Sequence, residues 1–255
     1  RTNLIKSDIS QYKLAITDSN NAIKEFFRVS DLKRQYQYRS RIEYESNNYN
    51  QALKWLTSSL ALGNEDNFEV NLLKEISENK MEAAYTLMHL SNIMLIAKEQ
   101  NDDEFFRNIY LIWKRNNIEE YLKININYSH PYEIILWKLG KLDVLIGNGS
   151  AGLKKLDIAY DICRQSIQNQ TLRAIGLGIL ADRVCLLSLD SQKNRKELNL
   201  AVNKLYNDYT SFMNLDLPDT MREHFSKWKK QIYLCKNSHR QALHNNLKSL
   251  VDKIY

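Results

Sequence analysis

The chain has 255 residues, with 44% hydrophobic and 26% charged side chains and a formal net charge of +6. Only seven glycines and two prolines are present, too few for the tight reversals of a β-sandwich or barrel, and the apolar content excludes a disordered chain. An all-α fold is expected, with enough apolar material for an extended core.

Residues 4–27 read as a lone helix, or as the surviving half of a preceding pair, and residues 1–30 are set apart on that basis. Asp31 to Tyr44 forms one apolar-striped segment, Asn47-Asn48 a turn, and Tyr49 to Trp55 and Leu56 a second segment that stops near Gly63. Glu82 to Asn116 reads as another pair. Ala84, Met88, Ser91 and Leu95 share one helical face, and Phe105, Ile109 and Ile112 share the next. Tyr132 to Cys163 is a further pair, with Leu136, Leu139 and Gly140 in the first helix and Gly152, Leu156 and Ala159 in the second.

Thr171 to Leu187 continues as a long helix, followed by a face of Leu198, Val202, Leu205, Tyr209 and Phe212. The last pair runs from Pro218, suited to a first helical turn, through Cys235, and then from His239 through Leu243, Leu247, Leu250 and Ile254.

Ser40, Tyr49, Ala52, Leu56 and Ser59 in the first clear copy, and Gly140, Gly152, Leu156 and Ala159 in the third, stand at offsets that resemble the tetratricopeptide repeat. In that family a small residue in the first helix admits the second at close range. The resemblance covers about half the chain, and the units recur about every 45 residues against roughly 34 in the family. It implies an α-solenoid of about five antiparallel helix pairs over residues 31–255, a tetratricopeptide-like superhelix; a generic helical bundle is the plainer alternative. By family offsets, the first helices present Gln37, Arg41 and Tyr44, and then Trp137 and Lys141, to a protein or peptide ligand on the concave face.

Gly147-Asn148-Gly149-Ser150-Ala151-Gly152 matches the G-x-G-x-x-G of a dinucleotide-binding loop, but that site needs a strand before it. Ile135, Leu139, Leu142 and Ile146 form a helical stripe instead. The glycines are therefore assigned to a turn and a close crossing: Gly147 ends a helix, Gly149 serves the turn and Gly152 permits packing.

No other chemistry stands out. Among the histidines at 89, 130, 224, 239 and 244 there is no HExxH, and Cys235 with His239 gives too few donors for zinc. Asp102-Asp103 and Glu119-Glu120 fall in polar interhelical segments, where acids cap helices or stay solvated. No G-x-S-x-G elbow occurs, so no enzyme, cofactor or metal is expected. Cys163, Cys185 and Cys235, odd in number and widely spaced, lead to the expectation of buried free thiols in a reducing compartment.

Charge is uneven. Residues 65–104 carry ten acids against three lysines, whereas eight bases face three acids from Pro218 onward. Lys227, Lys229, Lys230, Lys236 and Arg240 at that end are candidates for an acidic partner or a phosphate backbone, which makes nucleic acid the alternative partner. A module that senses peptides for a separate output domain is a further alternative. No run reaches the roughly 20 apolar residues of a membrane span and no signal peptide is recognised, so an intracellular protein, cytoplasmic or nuclear, is expected. The chain starts at Arg1 rather than Met, which leads to the expectation of a processed product or a piece of a longer protein.

Overall fold

Apolar residues three and four apart close into helices at each striped segment that the structure describes. The computed structural model describes residues 14–21, 29–46, 48–61, 68–99, 101–126, 130–165, 169–188 and 194–213. Among these residues all regular structure is helical. The last expected pair, from Pro218 onward, lies outside the described residues.

The chain divides into two compact units, Arg1–Tyr132 and Glu133–Tyr255, a boundary that falls within the 31–255 repeat region. In the first unit, α1 (Val29–Glu45), α2 (Tyr49–Ala61), α3 (Phe68–Glu78), α4 (Lys80–Glu99), α5 (Asp103–Arg115) and α6 (Ile118–Asn125) follow one another. Helices α1, α2, α3 and α5 all pack on α4. That explains why Ala83, Ala84, Leu87, Leu90, Ile93, Met94, Leu95 and Ala97 are buried around it. Each large aliphatic side chain sheltered this way contributes roughly 1.5–3 kcal/mol. Trp113 of α5 and Ile118 and Leu122 of α6 extend the same core.

Helices α3 and α6 are absent from the sequence reading. Glu119 and Glu120 lie in the first turn of α6, where carboxylates favour the positive end of the helix, and not in an interhelical segment. Asn117, with φ 49°, makes the left-handed step that separates α5 from α6. The N-terminal helix is helical over residues 14–21 and is tied to α1 by Arg39, whose guanidinium donates to the Ile16 carbonyl at 2.7 Å and to Asn20 Oδ1 at 3.1 Å.

The second unit contains α7 (Tyr132–Leu145, counted from its boundary residue), α8 (Gly149–Gln165), α9 (Gln170–Ser188) and α10 (Arg195–Met213). Helix α9 packs on α8 and on α10. Its Leu177, Ile179, Leu180, Ala181, Val184 and Leu187 are buried together with Leu156, Ala159 and Ile162 of α8 and Leu198, Ala201 and Leu205 of α10.

The turn between joined helices is built the same way three times. The Asn48 amide donates to the Glu43 carbonyl at 2.8 Å, Asp102 to Ala97 at 2.9 Å and Asn148 to Asp143 at 2.7 Å, each closing the six-residue loop that ends a helix. Asn101 with φ 62° and Gly147 with φ 92° take the left-handed position just before the last residue of that loop. The next helix then opens at once, with amides of Ala52, Phe106 and Gly152 donating to the carbonyls of Asn48, Asp102 and Asn148. Asp102 also caps α5 through its side chain, which accepts from the Phe105 amide at 3.2 Å.

Residues 142–145 belong to helix α7, so no strand precedes the glycine motif at 147–152. A methyl group on Gly152 would stand 2.4 Å from the Gly140 carbonyl oxygen and 2.7 Å from Val144 Cγ2, so α7 and α8 cross with backbones nearly touching.

The cysteines depart from expectation in one case. Cys163 is a buried free thiol. Cys185 is disulfide-bonded. Widely spaced cysteines conceal such a pairing because sequence distance says nothing of distance in space. No described helix is long and apolar enough to cross a membrane.

Candidate functional site

In the first unit the first-helix candidates divide between interior and surface. Gln37 is 3% exposed, and its Nε2 donates to Thr86 Oγ1 at 3.2 Å. Thr86 in turn donates to Glu75 Oε1 at 2.7 Å, and Lys33 Nζ meets Glu75 Oε2 at 2.6 Å. The chain Gln37, Thr86, Glu75, Lys33 thus joins α1, α4 and α3 through a buried carboxylate whose partners are satisfied on both oxygens. The polar network on α3 and α4 thus turns Gln37 inward. Burial, together with the Glu75 carboxylate, pushes the Tyr121 phenol on α6 above its ordinary value.

Arg41 of α1 is exposed. It lies close enough to His89 of α4 to act on it: burial, and then the Arg41 charge, pull the His89 imidazole down to about 4. His89 is thereby neutral at physiological pH. Tyr85, one helical turn before His89, meets the His130 ring edge-on at 6.0 Å between centroids. Tyr44 falls within α1, and its side chain lies outside the described residues.

In the second unit Trp137 and Lys141, one turn apart on α7, converge on a single acid. Trp137 Nε1 donates to Asp182 Oδ2 at 2.8 Å, and Lys141 Nζ stands 3.3 Å from the same oxygen. Asp182, on α9, is only 8% exposed. Lys138 Nζ sits 4.3 Å from the centre of the Trp137 ring, where the ring's electron-rich face attracts it. Both candidates are therefore partly occupied in holding α7 to α9.

Sequence reasoning missed Asp182, Glu75 and Lys33, because each is defined by a partner tens of residues away and none lies in a local motif. Lys227, Lys229, Lys230, Lys236 and Arg240 lie outside the described residues, as do Cys235 and His239. Among the described residues no three His, Cys, Asp or Glu side chains gather in a way that could hold a metal ion. No family model, curated protein or solved structure matches the chain, so the tetratricopeptide resemblance rests on the residues quoted for it.

Proposed function

We propose that the chain is a helical-repeat scaffold in which antiparallel helix pairs stack as an α-solenoid of the tetratricopeptide kind. It binds a protein or peptide along the surface formed by the first helix of each pair. The observation that carries this reading is the recurrence of one turn at 43–48, 97–102 and 143–148. This closure ends many helices, and here it joins helices that cross at small residues, Ser40 on Ala52 and Gly140 on Gly152, as stacked hairpins require.

On this reading Arg41 is the first-unit contact, while Lys138, Lys141 and Trp137 form the second. A ligand carboxylate would compete with Asp182 for the Lys141 ammonium and the Trp137 indole N–H, so capture there is coupled to exchange of an internal pair. The same surfaces suit a protein that acts by holding a partner, with no bond made or broken.

Affinity purification with the wild-type chain and with Arg41→Glu and Lys138→Glu, each checked by circular dichroism, tests the reading. Partners retained by the wild type, lost with either variant and resistant to nuclease treatment support it. Identical recovery with all three proteins would sink it, and loss of every partner after nuclease treatment would replace it with nucleic-acid binding.

A further inference from the structure

A cavity of about 300 Å³ opens between α8, α9 and α10, wholly within the second unit. Its buried wall is apolar: Leu177 and Phe212, with Cys163 and Gly176 behind them. Gly176 sets the depth of that wall, since a methyl group there would stand 3.1 Å from Cys163 Cβ. Arg164 and Ser211 are exposed and Arg173 and Asp208 half-buried, so these four mark its mouth.

The lining itself carries two guanidiniums, Arg164 and Arg173, against one carboxylate, Asp208. The Tyr160 hydroxyl donates a hydrogen bond to Asp208 Oδ2, a contact that spans α8 to α10 and engages one oxygen of the acid in the lining. Lys204 Nζ lies 3.8 Å over the Tyr160 ring, where the Asp161, Asp157 and Asp208 carboxylates act on its charge. Arg173 stacks 5.3 Å from the Phe212 centroid and reaches Ser211 Oγ only at 3.4 Å, a long contact and its one hydrogen bond among the described residues. Neither Arg164 nor Arg173 forms an ion pair among the described residues.

Two guanidiniums beside an apolar wall suit an amphipathic anion. The volume is at the lower end of the roughly 300–1,000 Å³ of ligand pockets, which limits the occupant to about the size of one amino acid. Cys163 does not make this a reaction site, because burial pushes its thiol up to about 12 and keeps it protonated.

We propose that this cavity binds a small organic carboxylate, its apolar body on Leu177 and Phe212 and its carboxylate held by Arg173 and Arg164. None of the first-helix residues takes part, so this site and the scaffold reading stand or fall separately. The carboxylate belongs either to a free acid or to the C terminus of a peptide.

Calorimetric titration of the full chain with N-acetyl-L-leucine, and with the neutral N-acetyl-L-leucinamide, tests the proposal. The acid binds, and the amide binds at least about tenfold more weakly, because it forfeits a charge-assisted pair. Arg173→Gln weakens the acid by about tenfold or more, Arg173→Lys restores part of the loss, and Ser211→Trp blocks the mouth with both guanidiniums in place. Circular dichroism establishes that each variant is folded. A hexapeptide ending in leucine that binds as well as the acid assigns a peptide C terminus, and binding by the acid alone assigns a free ligand. Equal affinity for acid and amide, no saturation by either, or unchanged affinity in both Arg173→Gln and Ser211→Trp overturns the proposal.

Discussion

The Ser40 hydroxyl donates a 2.7 Å hydrogen bond to the carbonyl oxygen of Ala52, across the crossing of α1 and α2. The equivalent pair in the second unit is Gly140 and Gly152, whose backbones meet directly. One crossing is therefore held by a hydroxyl that spans the gap, and the other by removing both side chains so that no gap remains.

Gly152→Ala gains up to about 1 kcal/mol of helix propensity, but its methyl group strikes backbone that cannot rotate aside. A net loss of about 1–3 kcal/mol is expected, and thermal unfolding measures it. Ser40→Ala costs about 1 kcal/mol by leaving the Ala52 carbonyl without that donor. A Gly152→Ala protein as stable as the wild type would mean that the crossing is looser than described.

Thr86 both donates to Glu75 and accepts from Gln37, so Thr86→Val leaves two buried polar groups without a partner at nearly unchanged volume. The loss is about 1–3 kcal/mol in urea titration, and Thr86→Ser recovers most of it. If valine is tolerated without loss, the network does not hold α1, α3 and α4 together.

Lys141→Glu brings a second carboxylate to Asp182, which already receives the Trp137 indole. The variant loses stability, and the exchange Lys141→Glu with Asp182→Lys recovers part of it; the coupling expected from this double-mutant cycle is about 0.5–3 kcal/mol. Additive effects would show that the two residues do not interact. For the same reason Lys138→Glu is the better probe of partner capture.

His89 titrates near 6.5 when free but at about 4 in the fold. The unfolded chain therefore takes up a proton first as pH falls, and the folded state loses stability between about pH 6.5 and 4. This group gives no further change below that window. The size is about 1–3 kcal/mol, and His89→Gln removes that share of the acid sensitivity. Identical slopes of stability against pH in the two proteins would place His89 in solvent.

The helical pairs were legible because their evidence is local. Leu136, Leu139, Gly152 and Leu156 repeat at helical spacing, and the scarcity of glycine and proline leaves no other regular structure to compete. The turn at Gly147 was legible for a related reason, since only a residue tolerant of positive φ closes a helix in that way. Helices α3 and α6 escaped notice because they are short and largely polar, and α4 and α5 supply the surfaces that bury them.

The chain's own order of residues thus determined its all-α class, eight of the helices among the described residues and the small side chains at two crossings. Tertiary structure alone decided that Gln37 turns inward to Thr86, that Trp137 and Lys141 share Asp182, that Cys185 is paired, and that Arg164, Arg173 and Phe212 enclose one cavity. The physical reason is range. Helix formation depends on neighbours within one or two turns, whereas a buried polar partner or a pocket wall comes from residues that only folding brings together.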